Sequence, residues 1–271
     1  IVPTLVGRGD AVFADKLNHA SLIDAVQLSR AESHRYGHGD LDALSALLKA
    51  STARRKLILT DAVFSMDGDI AALPELLELA ECHDAWLVID DAHGFGVVGK
   101  GGRGTLSHFA IPAHPRIVLM GTLGKAAGVA GAFIAAAPQV IEWLVARARS
   151  YIFTTAASPL LAAAIARSLV LVEAADEERA TLRRHIERLR NGIAGSRWQL
   201  LHSDTAIQPL IVGDNQDTTA LAAALLARGL WVPAIRPPTV PKGSARLRIS
   251  LSAAHTDAHL DRLLGALREL A

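Results

Sequence analysis

The chain has 271 residues, 51% of them apolar and 20% charged, so it can bury a large core as one large domain or two smaller ones. The formal net charge is +1, from 28 basic and 27 acidic residues, and no basic run or stripe marks a nucleic-acid or anionic-membrane surface. The single cysteine, Cys82, excludes an intrachain disulfide; with no secretory signal in the sequence, this points to a reducing, cytoplasmic setting.

Val2 to Val6 reads as a strand or tight connection, and the opening at Ile1 without Met reads as a start partway into a domain. Ala11 to Phe13 is a short strand. Ser21 to Ala31 is a helix with Leu22, Ala25 and Val26 at helical spacing. Asp40 is placed to cap a helix over Leu41 to Lys49. Lys56 to Thr60 is a strand, and Pro74 opens a helix that continues over Glu75 to His83. Cys82, at the end of that helix, reads as structural. Trp86 to Asp90, Arg116 to Met120 and Ala132 to Ala136 are further strands. Continuous apolar strands alternating with helices indicate a mostly parallel sheet covered on both faces.

Ser158 to about Gly195 reads as helical. Its most apolar part, Leu160 to Ala174, is interrupted by Arg167 and is too short to span a bilayer. Ala206 to Val212 is a strand and Thr218 to Arg228 a helix. Ala245 to Leu251 alternates Arg246, Arg248 and Ser250 with Leu247, Ile249 and Leu251, the pattern of a half-buried antiparallel strand. Asp257 to Leu270 closes the chain as a helix. The expected organisation is an α/β large domain over residues 1–172 and a smaller C-terminal α+β domain over residues 173–271.

In such sheets ligands bind beyond the carboxyl ends of the strands, which selects Ser65, Asp67, Asp90 to Gly94 and Gly121 to Lys125. Lys125 follows an apolar strand among small residues, an unusual place for a solvated charge. It is either a surface loop lysine or an amine that forms a Schiff base, with its basicity lowered by a desolvated site. A phosphate-loop pattern fails there, because Leu119 and Ala126 replace the required Gly and Ser or Thr. Asp90 could hold a pyridine nitrogen protonated, with His93 three residues on; the plainer reading is a strand-ending acid and a turn histidine. Gly94-Phe-Gly-Val-Val-Gly99 spells a dinucleotide fingerprint, but Asp91 to His93 intervene after the strand and another glycine-rich loop follows where a helix is needed. Ser65 could bond a ligand oxygen, and His19 could stack on an aromatic ring or simply start a helix. His34 and His38 are spaced i, i+4, but Gly37 and Gly39 argue against a helix there, and no metal site is expected. Arg236 and Arg248 offer guanidinium forks suited to carboxylates, or are solvated arginines.

The segments Asn18-His-Ala-Ser-Leu22, Phe64-Ser-Met-Asp-Gly-Asp69, Asp90-Asp-Ala-His93, Gly121-Thr-Leu-Gly-Lys125 and Ser252-Ala-Ala-His-Thr256 occur in this order across nearly the whole chain. In this the sequence resembles the α-oxoamine synthases, fold-type I enzymes that use pyridoxal 5'-phosphate to condense an amino acid with an acyl thioester. Asp91-Ala-His-Gly-Phe-Gly96, Gly102-Arg-Gly104 and Ala234-Ile-Arg-Pro-Pro-Thr-Val-Pro241 are most similar to the members that use L-alanine and a pimeloyl thioester.

The resemblance implies a fold-type I transferase and a homodimer. It implies that Lys125 carries the cofactor and moves the alanine Cα proton, that Asp90 pairs with the ring nitrogen, and that His19 stacks on the ring. His93 would bond the ring hydroxyl oxygen, Ser65 and Thr122 would contact the ring and phosphate region, and Thr155 would reach the partner subunit's phosphate. Arg236, Thr239 and Arg248 would bind substrate. Family members carry a further N-terminal segment, so the large domain is expected to be N-terminally incomplete, with weak cofactor binding and slow turnover. The alternatives are a relative that uses glycine or serine with another acyl thioester, and a non-catalytic member.

Overall fold

The computed structural model describes residues 1–271, which form two compact units: Ile1–Phe64 with Ile70–Ala174, and Ser65–Asp69 with Ala175–Ala271. In the first unit, α1 (Val2–Leu5), β1 (Ala11–Asp15), α2 (Ala20–Ser29), β2 (Glu32–Tyr36), α3 (Leu41–Ala50), β3 (Lys56–Asp61), α4 (Leu73–Cys82) and β4 (Ala85–Asp90) alternate along the chain. They are followed by α5 (Thr105–His108), β5 (Ile117–Thr122), β6 (Ala132–Ala135), α6 (Pro138–Arg147), α7 (Arg149–Ile152) and α8 (Pro159–Ala174).

The six strands form one sheet in the order β2-β1-β3-β4-β5-β6, parallel throughout except for the antiparallel pair β5 and β6. Successive side chains of β3 supply opposite faces. Ile58 joins Phe13, Leu44, Leu73 and Ile89 in the core beneath α3 and α4. Leu57 and Leu59 join Val12, Leu22, Val88, Val118 and Leu144 in the core beneath α1, α2 and α6. Burial on both faces explains why the central strands read as unbroken apolar runs.

Some expectations need correcting. Val2 to Val6 holds one helical turn with Pro3 in it, not a strand; four residues are too few to show a period. Cys82 is exposed at the end of α4 rather than packed. By contrast, His34 and His38 lie outside any helix, as Gly37 and Gly39 suggested: His34, in β2, stacks on Phe13, and His38 Nδ1 lies 3.2 Å from Asp15.

The second unit contains a four-stranded antiparallel sheet, β7 (Gln199–Leu200), β8 (Ile207–Gly213), β10 (Ala245–Ser250) and β9 (Ala234–Ile235), in that spatial order. It also contains α9 (Asp176–Ile193), α10 (Asn215–Ala227) and α11 (Asp257–Glu269). The segment Ser252 to Thr256 opens α11: Thr256 caps it through the His259 amide, and the His259 ring returns a bond to the Thr256 amide. The long helical stretch breaks at Ala175 into α8 and α9. No helix is long and apolar enough to cross a membrane.

Candidate functional site

β3 and β4 lie side by side in the middle of the sheet, and their register sets Asp61 opposite Asp90 at the carboxyl ends. Both carboxylates are buried, at 4% and 5% exposure. Burial pushes the Asp90 carboxyl above its ordinary value, against the Ala92 N–H and electrostatic attraction toward Lys125 and His19. Burial likewise pushes Asp61 up to about 7; the His19 N–H opposes this, Asp90 adds to it, and Lys125 opposes it. Asp61, Asp90, Lys125 and His19 therefore share one electrostatic environment at the end of the sheet where an open α/β fold binds ligands.

Lys125 sits in the hairpin between β5 and β6. The hairpin is closed by Leu123 N–H to Gly131 O (2.9 Å), Val129 N–H to Leu123 O (2.9 Å) and Gly128 N–H to Lys125 O (3.0 Å). Thr122 braces its base, donating to Gly131 O at 3.3 Å and accepting from Gly124 N–H at 3.4 Å. Ser168 of α8 donates to Ala127 O at 2.6 Å, two residues beyond the lysine. Lys125 itself is exposed, which corrects the expectation of a desolvated amine. It lies near the tip of the hairpin, and the carboxyl groups of Asp61 and Asp90 feel its charge.

The loop after Asp90 is built on Asp91, which is buried and accepts the Thr105 N–H at 2.9 Å. Its carboxyl is pushed up to about 7, first by burial. Gly94 leaves room for this carboxylate: a Cβ there would meet Asp91 Oδ1 at 2.0 Å. Gly96, at φ +80°, lets the loop approach the lysine hairpin, since its Cβ would meet the Ala126 Cβ at 2.5 Å. The dinucleotide-like spacing is thus a close-packing pattern, and the half-buried His93 lies within the loop it shapes.

His19 is the N-cap of α2, accepting the Ser21 N–H at 3.3 Å while its Nδ1 lies 2.8 Å from Ser21 Oγ. The ring is exposed. Thr155 is exposed in the connection between α7 and α8.

The remaining expected residues belong to the second unit. Ser65 is half-buried, and its carbonyl accepts Arg248 Nε at 2.6 Å. Arg248 also donates to Ser250 Oγ at 2.8 Å, and burial lowers its guanidinium pKa. Arg236 and Thr239 are both exposed and share one turn, with Thr239 N–H donating to Arg236 O at 3.1 Å. Arg246, expected on the polar face of its strand, is instead 4% exposed, because Asp67 meets it at 2.6 Å.

Sequence reasoning missed Asp61, because the strand was ended at Thr60. A signal was present: Leu-Ile-Leu-Thr-Asp61 and Trp-Leu-Val-Ile-Asp90 are buried strands that both end in aspartate. The donor set fits the cofactor that the resemblance implies. Asp90 is rigidly placed at a strand end, and the hydrogen bond at its carboxylate is to Oδ1, from Ala92 N–H at 3.0 Å, so the second oxygen suits a ring N–H.

Residues 1–267 match the family aminotransferase class I and II. The chain is 67% identical to an 8-amino-7-oxononanoate synthase from Herminiimonas arsenicoxydans, over 99% of this chain and 70% of that protein. It is 64% identical to another from Dechloromonas aromatica, over 100% of this chain and 71% of that protein. Among solved structures, a Sphingomonas wittichii serine palmitoyltransferase superposes with a TM-score of 0.93 at 32% identity, covering 99% of this chain and 68% of that one. An 8-amino-7-oxononanoate synthase from Francisella tularensis superposes with a TM-score of 0.85 at 31% identity, covering 99% and 76%.

Proposed function

The chain belongs to the aminotransferase class I and II family, and we propose that it is a pyridoxal-phosphate-dependent acyltransferase that joins L-alanine to a pimeloyl thioester, releasing CO2 and the free thiol and forming 8-amino-7-oxononanoate for biotin biosynthesis. The observation that carries this reading is the placement of Asp90 at the end of β4 and of Lys125 just beyond its neighbour β5, at the carboxyl end of the sheet. The 67% identity to a relative of that named activity supports the choice of substrates.

When bound, pyridoxal phosphate supplies an electron sink for the charge left on Cα by proton loss and again by loss of CO2. Lys125 would hold it covalently and, once released, take the alanine Cα proton on Nζ. The exposed position of the lysine lets the amine reach both groups. Asp90 would keep the ring nitrogen protonated, and burial makes its carboxylate seek such a cationic partner. His19 would offer an imidazole face to the ring, fixed by Ser21. His93 would bond the ring hydroxyl oxygen, and Thr122 would contact the phosphate region. The assignments of Ser65 to the cofactor, and of Arg236, Thr239 and Arg248 to substrate carboxylates, rest on the resemblance alone.

The family's homodimer is part of the same reading. Tyr151, Ile152, Phe153, Leu160, Val170 and Leu171 are exposed along α7 and α8, a concentration of apolar surface that suits a second copy. Thr155 lies within this stretch, in keeping with a role toward the partner's phosphate. The lone cysteine favours a cytoplasmic setting.

The test is a condensation assay on the purified chain with saturating pyridoxal phosphate and pimeloyl-coenzyme A, read by mass spectrometry. L-alanine should give the amino-oxo acid, and glycine and L-serine should give little. Preference for glycine or serine would overturn the substrate assignment, and no product from any of them would overturn the acyltransferase reading.

A further inference from the structure

The loop that carries His19 is tied to the end of β3 by two side chains that the chemistry above leaves without a role. Asn18 is buried at 5% exposure and spans the strand edge: its Nδ2 donates to Leu59 O at 2.8 Å, and its Oδ1 accepts from Asp61 N–H at 3.1 Å. Asp61 returns the contact, its Oδ2 accepting the His19 N–H at 2.6 Å. The backbone on either side of the His19 Cα is thus fixed, first by Asn18 and Asp61 and then by the first turn of α2.

What it is fixed to matters. β3 is a central strand, paired with β1 on one side and β4 on the other, and Leu57 to Asp61 are all buried. β4 carries Asp90. The Asn18 and Asp61 bonds therefore refer the imidazole at the start of α2 to the same rigid strand pair that holds the proposed ring-nitrogen partner. A buried carboxylate beside another is an unfavourable choice for mere packing. An apolar side chain would fill the space at lower cost but would leave the His19 N–H without this acceptor, so the placement points to a task for the Asp61 oxygen.

We propose that Asn18 and Asp61 form a latch that sets the position of His19, and that Asp61 is thereby a positioning residue for the imidazole face offered to the cofactor ring. This rests on the reading of His19 given above. The carbonyl character of the Asp61 oxygen is what the His19 N–H needs, and burial holds the acid protonated to about neutral pH. Asparagine should therefore replace it, whereas alanine should not.

The experiment uses the full chain labelled with ¹⁵N-histidine, with the His19 amide assigned through His19→Gln. In the cofactor-free protein, Asp61→Ala and Asn18→Ala should speed His19 amide exchange by about 10-fold, the loss of one net hydrogen bond, while Asp61→Asn stays near wild type. Pyridoxal phosphate titrations provide the second readout. Asp61→Ala and His19→Ala should each weaken binding, and the double variant should be no weaker than His19→Ala alone. Unchanged His19 exchange in both alanine variants, or losses of affinity that add, would overturn the latch. Wild-type affinity in His19→Ala would also overturn it, since no stacking face would need positioning. Absence of any Lys125-dependent cofactor band is a different result, and it would remove the enzyme reading itself. A poorly folded Asp61→Ala protein leaves Asn18→Ala and Asp61→Asn to decide.

Discussion

At the scale of single residues, Asp90 and Arg246 show how burial turns a charge into a commitment. Asp90 was visible in the sequence because an apolar run ends on it, though that alone did not separate a cofactor partner from an acid that merely ends a strand; the resemblance did. Asp90→Asn keeps the shape and removes the charge, so it should lower kcat/KM by on the order of 100-fold, as expected when a preorganised electrostatic partner is lost, with folding intact. A variant with wild-type turnover would show that the ring nitrogen finds its partner elsewhere. Arg246 was misread because strand alternation gives a face but not what covers it. Asp67 and the Met66 carbonyl meet its guanidinium, and the ion pair is largely out of solvent. Arg246→Ala should destabilise the second unit by about 3 kcal/mol, because Asp67 is left without its counter-ion. Chemical denaturation would measure this, and a loss under 1 kcal/mol would contradict a buried pair.

At the scale of elements, legibility followed burial. β3 and β4 announced themselves through continuous apolar runs, and α3 through Asp40, whose side chain accepts the Ala43 N–H at 2.9 Å. β2 did not: Glu-Ser-His-Arg-Tyr36 is a sheet edge with one buried residue, so neither alternation nor an apolar run marks it. The strand ends make a pH prediction. Burial pushes the Asp61 and Asp91 carboxyls up to about 7 in the folded protein, from an ordinary value of 3.8. Between those values the unfolded chain releases protons that the folded chain keeps, so stability falls as pH rises. It should be full below 3.8, decline toward 7 and then level off. Thermal unfolding of the cofactor-free protein at pH 5 and pH 8 would show this as a lower midpoint at pH 8, and Asp61→Asn should shrink the difference. A midpoint that rises with pH in wild type, and is unaffected by the substitution, would refute the sign.

At the scale of the whole molecule, the order of the motifs said more than any one of them. A glycine-rich stretch that spells a nucleotide fingerprint fails that reading because no helix follows it directly, but its packing against Asp91, Thr105 and Ala126 could not be read from spacing. The five-residue excursion Ser65–Asp69, which groups with the second unit, was equally hidden, because only three-dimensional contacts assign it there. Asp61 and Asn18 stood in legible segments, but the bonds that join them depend on how the His19 loop meets β3, which no local pattern shows. The central claim is that Lys125 carries pyridoxal phosphate, and reductive trapping tests it most directly. The chain is incubated with the cofactor, reduced with borohydride, digested and mapped by mass spectrometry. The expected result is a pyridoxyl adduct on Lys125 that pre-incubation with L-alanine diminishes. A label spread over surface lysines, or none on Lys125, would contradict it.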